Sequence, residues 1–421
     1  MKATARGILK TYVSLTVLST FASSFIWGIN TLFLLDAGLS ITQAFAANAF
    51  FTAGQVLFEV PTGVVADTLG RRTSYLLGSA TLFVSTLLYL WMWRTHGPFW
   101  AWAVISMLLG LGFTFFSGAT EAWLVDGLKS TGYEGTLEAA FARGQIAGGA
   151  AMLTGTLAGG AIAQATNLGV PYILRAGMLV LTFVVAFFFM RDVGFTPRKG
   201  ASPRKEIRRI LRASLDNGLR NPPVRWLMLA APFAGGVGMY AFYAMQPHLL
   251  ELYGKGNSYA IAGLAAAIVA GMQILGGYLV PYARRLFDRR TSFLLFGTVL
   301  SAAALALIGA TSRFWVALVL LCVWALVFAA AMPIREAYIN DLIPSSERAT
   351  VLSFDNVLSS SGGVVIQPAL GRVADVWGYP VSYLVSAGIE LLGLPLILLA
   401  RREKAPSDPT RERLESPPHG H

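Results

Sequence analysis

Glu121-Ala122-Trp123-Leu124-Val125-Asp126 returns 215 positions later as Glu336-Ala337-Tyr338-Ile339-Asn340-Asp341. A second pair, Arg71-Arg72-Thr73-Ser74-Tyr75-Leu76-Leu77 and Arg289-Arg290-Thr291-Ser292-Phe293-Leu294-Leu295, is offset by 218. Two echoes at nearly one spacing mark a duplicated half of roughly 215 residues. In a membrane protein, acidic residues at equivalent places in two halves point to a path for something moved along the interface between them.

That the chain is a membrane protein follows from its composition. Of 421 residues, 55% are hydrophobic and only 13% charged, against roughly 25% charged in soluble domains. Apolar segments near 20 residues or longer suit helices crossing ~30 Å of hydrocarbon, and the alternation of a β-barrel is missing. The expected fold is therefore all-α. The 43 glycines, as in Gly148-Gly149 and Gly159-Gly160, let helix backbones approach closely in lipid. The single cysteine, Cys322, lies in an apolar segment and excludes an intrachain disulfide or thiol metal cluster. The net charge of +11 lies between apolar runs and reads as membrane topology, not nucleic-acid binding.

Twelve spans follow from the apolar runs: 11 to 35, 41 to 66, 73 to 93, 98 to 126, 137 to 165, 170 to 190, 224 to 250, 259 to 283, 291 to 311, 314 to 340, 349 to 374 and 379 to 400. They group into bundles over 1–190 and 224–400, joined by a basic linker over 191–223 and followed by a tail over 401–421 that is expected to be disordered. One set of loops holds Lys2, Arg6, Lys10, Arg71, Arg72, Lys129, most of the linker, Arg284, Arg285, Arg289, Arg290 and Arg348. The other set holds only Arg94, Lys255, Arg313 and Arg372, so both termini are expected in the cytoplasm. The first apolar run is too long for a cleaved signal and is read as span 1. A bacterial cytoplasmic membrane is the expected location. In the linker, Ile207, Ile210, Leu211 and Leu215 at helical spacing predict an amphipathic helix over 206–219 lying on anionic lipid.

At the end of span 2 stands Glu59-Val60-Pro61-Thr62-Gly63-Val64-Val65-Ala66-Asp67-Thr68-Leu69-Gly70-Arg71-Arg72. Gly63, Asp67, Gly70, Arg71 and Arg72 match G-x-x-x-D-x-x-G-R-[RK], and the chain here resembles the major facilitator superfamily. The resemblance implies twelve transmembrane helices in two pseudo-symmetric six-helix bundles. It also implies a gating cluster in which Asp67 and Arg71 join Asp126; a static clamp of helix ends is the alternative. In the second half Pro281 and Arg285 replace the glycine and aspartate, while Asp341 keeps the place of Asp126 and is expected to pair with Arg284 or Arg285. Gly155-Thr156-Leu157-Ala158-Gly159-Gly160 in span 5 resembles the G-P-x-x-G-G signature of the drug/proton antiporter-like branch, with Thr156 for proline. Pro368 and Gly371 occupy the corresponding places in span 11, and Gly112 stands where many proton-coupled members carry an arginine in span 4.

Charges inside spans cost at least ~2.5 to 3.5 kcal/mol at the bilayer centre, so each should face a cavity, a partner or the interface. Asn48, Thr52, Gln55 and Glu59 share one face of span 2. Glu121 has Thr114 and Ser117 above it. Arg143 is the expected partner of Glu59 or Glu121, and competition for one arginine would make a proton switch; a permanently ionised network is the alternative. Arg335, Glu336 and Asp355 form the matching set, with Asp355 at the place of Arg143. Glu390, mid-span 12, is expected to serve packing or local hydrogen bonding and not transport. His248 is expected at the surface near a span end.

Cavity candidates are Trp27 and Asn30 on span 1, Gln55 on span 2, Tyr240, Tyr243 and Gln246 on span 7, Gln273 on span 8, and Trp324 and Phe328 on span 10. The resemblance implies that spans 1, 4, 7 and 10 line a central path. The expected function is secondary active transport by alternating access, as proton-coupled efflux of a small amphipathic or hydrophobic compound by a monomer in the lipid bilayer. A facilitator or importer of a polar metabolite such as a sugar, and a non-transporting receptor or scaffold, are the alternatives. With no nucleotide loop, histidine-rich metal site or soluble catalytic domain, neither an enzyme nor a cofactor is expected.

Overall fold

The computed structural model describes residues 4–116, 118–197, 203–254, 257–344 and 347–410. Span 1 is two helices, Ala5–Trp27 and Asn30–Asp36, meeting at 49°. Span 2 is Ile41–Leu69, span 3 Arg71–Thr95, span 5 Leu137–Ala165 and span 6 Gly169–Phe189. Span 4 is broken into Phe99–Thr114 and Ala119–Ser130. Spans 7 to 10 are Pro222–Tyr253, Tyr259–Leu286, Arg290–Ala310 and Phe314–Asn340.

Among the described residues, ten segments are long and apolar enough to cross a membrane, and the bent pair of span 1 makes eleven. The last of them, Thr350–Arg402, has 53 residues, about 80 Å of helix and more than twice a ~30 Å hydrocarbon core. It reverses at Gly378, whose φ of 84° belongs to the left-handed region open to glycine. Before the turn the chain climbs span 7, with Gly362 against Pro232 and the Gln367 amide 3.9 Å from Met239 Sδ. After it the chain descends: Tyr379 lies beside His248, the Tyr383 hydroxyl donates to the Ala241 carbonyl at 3.3 Å, and Gly393 sits by Ala230. Residues 348–377 and 379–402 are thus spans 11 and 12, giving the expected twelve.

Spans 1 to 6 pack mainly on one another, as do spans 7 to 12; spans 1, 2 and 5 meet spans 7, 11 and 8 across the middle. Both described ends of the chain and the described parts of the connector, 191–197 and 203–221, lie on one side, called here the terminal face. The linker helix is Pro203–Ser214 and ends in a π-helical turn, Leu215–Leu219. It touches both span 2 and span 11.

The tail departs from expectation. Residues 403–410 fold back onto the start of span 9: Asp408 is 2% exposed and accepts from the Thr291 backbone N–H (2.9 Å) and hydroxyl (3.0 Å). Thr410 adds a backbone bond to Asp288. The first turn of a helix has free N–H groups and a positive end, so a carboxylate arriving from elsewhere in the chain is stabilised there. Residues 411–421 lie outside the described residues. His248 is buried at 1% exposure, not at the surface, because Tyr379 and Tyr383 of span 12 cover it.

Candidate functional site

A cavity of about 500 Å³ runs between spans 1, 2 and 4 from the terminal face towards the membrane middle. Tyr12, Thr16 and Ser19 form its span 1 wall and Gln55 and Glu59 its span 2 wall, while span 4 supplies Phe113, Thr114, Phe116 and Glu121. The polar stripe read on span 2 accounts for Gln55 and Glu59. The placement of Glu121 depends on the break in span 4, where the chain leaves the helix after Thr114 and starts a new one at Ala119. Glu121 therefore sits in a first helical turn, where unpaired N–H groups favour negative charge. The Ser117-Gly118 pair was the available sequence signal for this break; Ser117 itself lies outside the described residues.

Several expected partnerships take a different form. Arg143 is exposed and makes no ion pair with Glu121 or any other described residue. Asp355, 1% exposed, is held by both terminal nitrogens of Arg335 at 2.5 Å, and Arg335 also donates to the Leu227 carbonyl at 3.1 Å. Glu336 is exposed and outside this pair. The matching charges of the two halves thus do different jobs: Glu121 lines a cavity while its counterpart Glu336 is exposed, and Asp355, at the place of the exposed Arg143, closes with Arg335 into a buried fork-to-carboxylate pair. Glu390 is 5% exposed and shares a pocket of about 80 Å³ with Arg335 and Ser301.

The terminal-face cluster comes together within the first half. Arg71 lies 2.6 Å from Asp67 and 4.0 Å from Asp126. Gly70 takes φ 105°, and its missing side chain leaves room for the carboxylate of Asp192, which accepts from the Arg72 backbone N–H at 2.9 Å. Burial pushes the Asp192 carboxyl up from its usual range, against the pull of the Arg72 N–H and guanidinium. Asp192 follows span 6 as Asp408 follows span 12, and each caps the start of the third span of its half. The repeated Arg-Arg-Thr-Ser motif is the capped end in both. In the second half Asp341 pairs with Arg290, which begins the neighbouring helix, at 2.7 Å, and no ion pair joins it to Arg285 among the described residues; the side chain of Arg284 lies outside them.

Gly63 is exposed, with nothing within 4 Å of where a Cβ would stand. The close packing expected of it is absent in this state. Gly63→Leu is predicted to leave thermal stability unchanged, because the added side chain enters open space; a melting temperature lowered by several degrees would contradict that.

At the opposite, far face the two halves are joined. The bend in span 1 frees the Trp27 carbonyl and the Thr31 N–H from helical bonding, and Gln246 of span 7 satisfies both, at 2.7 and 2.9 Å. Thr42 of span 2 donates to Asp375 of span 11 at 2.7 Å. Gly28, Gly160 and Gly263 bring the backbones of spans 1, 5 and 8 into contact. The cavity candidates divide accordingly. Gln55 lines the cavity. Gln246 is a latch between halves. Asn30 bonds Asn48 (3.0 Å) and Tyr172 (2.9 Å) above the cavity's inner end.

Tyr240 is fully buried, bonds Ser382 at 2.5 Å and packs on Phe45, so it is core between the halves and not cavity lining. Trp324, 1% exposed, stacks on Phe328, which faces the small Arg335 pocket. Trp27 packs edge-on against Phe242, beside Tyr243. Gln273 is half-buried and lines none of these cavities. Sequence reasoning passed over Arg175, a charge inside the apolar run of span 6 that is 2% exposed.

The family model of the Major Facilitator Superfamily matches residues 12–287 and 279–419. No curated protein sequence matches the chain significantly. Among solved structures, the nucleoside transporter NupG superposes with a TM-score of 0.75 at 10% identity, covering 94% of this chain and 99% of that one. A bacterial homologue of the human lysosomal transporter Spinster, in an inward-facing and occupied conformation, gives 0.72 at 14% identity over 96% and 98%. A D-xylose–proton symporter gives 0.65 at 15% over 93% and 98%. At these identities the likeness is one of fold.

Proposed function

The chain belongs to the major facilitator superfamily, and from that membership we propose a secondary active transporter that exports a small amphipathic compound in exchange for protons. It works as a monomer by alternating access, with the terminal face in the cytoplasm of a bacterial cell. The observation that carries this reading is the asymmetry between faces. The contacts between halves cluster at the far face, at Gln246, Thr42–Asp375 and the three glycines, while a cavity with two carboxylates reaches inward from the terminal face.

The cavity's aromatic rings suit an apolar body and its threonines, serine and Gln55 suit a few polar groups. Glu59 and Glu121 pass between wet and dry surroundings as the halves rock, which is the condition for taking up a proton on one side and releasing it on the other. A compound selected by thermal-shift screening is expected to move faster through reconstituted vesicles when a proton gradient is imposed. Glu59→Gln or Glu121→Gln should lower that gradient-driven flux at least tenfold, about 1.4 kcal/mol, while exchange of labelled for unlabelled compound continues. Flux identical with and without the gradient would reject antiport in favour of facilitated movement.

A further inference from the structure

Arg175 is an isolated buried cation. Its Nε donates to Thr86 of span 3 at 3.1 Å, and its guanidinium lies 5.9 Å from the ring centroid of Phe113 in span 4. Tyr89, Tyr172 and Tyr243 are the titratable groups within its electrostatic reach. Among the described residues the Thr86 bond is its one hydrogen bond, and it joins no ion pair. Thr86 stands about 22 Å along span 3 and Phe113 about 21 Å along span 4 from their opposite ends, which puts the guanidinium near the bilayer centre.

An arginine at that depth costs ~2.5 to 3.5 kcal/mol even on insertion scales. One neutral hydroxyl and aromatic faces return part of this, an aromatic face contributing about 0.5 to 2 kcal/mol. The planar fork of terminal nitrogens is left without an acceptor, and such a fork matches a carboxylate bidentately. Phe113 is shared: it is both the inner end of the terminal-face cavity and the ring against the guanidinium.

We propose that Arg175 is the anion-recognising residue of the transport path, so that the amphipathic cargo carries a carboxylate that reaches the guanidinium past Phe113. This rests on the transport reading above and names the cargo's charge. Glu59 and Glu121 carry the protons nearer the mouth, so the cargo's negative charge and the protons use separate ends of one cavity.

The test measures binding to the purified full chain by thermal shift and isothermal titration. The probes are phenylacetate, 4-phenylbutyrate and decanoate, the amide and amine of each, and inorganic phosphate. Each carboxylate is expected to bind at least tenfold more tightly than its amide and amine, with phosphate competing poorly. Arg175→Gln should abolish that preference, and Arg175→Lys should retain part of it. Should Arg175→Gln not fold, the wild-type selectivity decides: no preference for carboxylate over amide overturns the proposal. Phosphate competing as well as the carboxylates overturns the organic cargo. Binding is read without flux, so loss of proton-driven transport and loss of carboxylate selectivity are separate results.

Discussion

Gly160→Leu is expected to open the far face and stop transport. A Cβ on Gly160 would stand 2.8 Å from the Gly263 Cα and 2.8 Å from the Tyr259 carbonyl, both backbone atoms that cannot rotate aside. Gly28 meets the same Gly263 Cα at 3.1 Å, so spans 1, 5 and 8 converge on one point without side chains between them. Overpacking typically costs about 1 to 3 kcal/mol, and a contact made against backbone belongs at the upper end. About 3 kcal/mol is on the order of 100-fold in a conformational population. On the proposed alternating-access cycle the penalty falls on the state closed at the far face, because this contact joins the two halves there. With Cys322 replaced by serine, a Thr31→Cys reporter should become reactive to a membrane-impermeant thiol reagent added at the far side. Unchanged reactivity together with normal flux would mean that closure does not depend on this glycine contact.

Asp355→Ala is expected to lower the melting temperature by several degrees. Asp355 is 1% exposed and takes both terminal nitrogens of Arg335. Removing one partner of a buried pair typically costs about 3 to 5 kcal/mol, because the remaining charge is stranded. The paired replacement Arg335→Met with Asp355→Leu should recover most of the loss, since neither charge then remains buried. A double variant no more stable than Asp355→Ala would show that the pair does more than neutralise itself. Gradient-driven flux in the double variant separates the two readings of the second-half charges: retained flux assigns the pair to structure, and lost flux assigns it to coupling.

How far residues alone lead can be judged from particular cases. The stripe Asn48, Thr52, Gln55, Glu59 was readable because helical period and the penalty for charge in lipid are local rules, and Gln55 and Glu59 do line the cavity. Asp67, Arg71 and Asp126 were readable from the resemblance and come together. Tyr240 and Trp324 sit at the same helical spacing as true lining residues, yet face the core, because which face of a span meets a neighbour depends on the rotation of the whole helix. Gln246 carries no signal of a latch; its role exists only because a bend in a helix 215 residues away frees two backbone groups beside it.

What the amino-acid order settled unaided was the number of spans, their direction through the bilayer relative to one another, and the duplication. Each follows from hydrophobic length and recurring motif, properties summed along one helix. Tertiary structure alone decided which charges pair, at which face the halves are joined and what Arg175 touches. Those outcomes hang on contacts between residues far apart in the chain, such as Asp192 with Arg72 and Asp408 with Thr291. A carboxylate caps whichever helix end the fold delivers to it, and nothing in its own neighbourhood of sequence says which end that is.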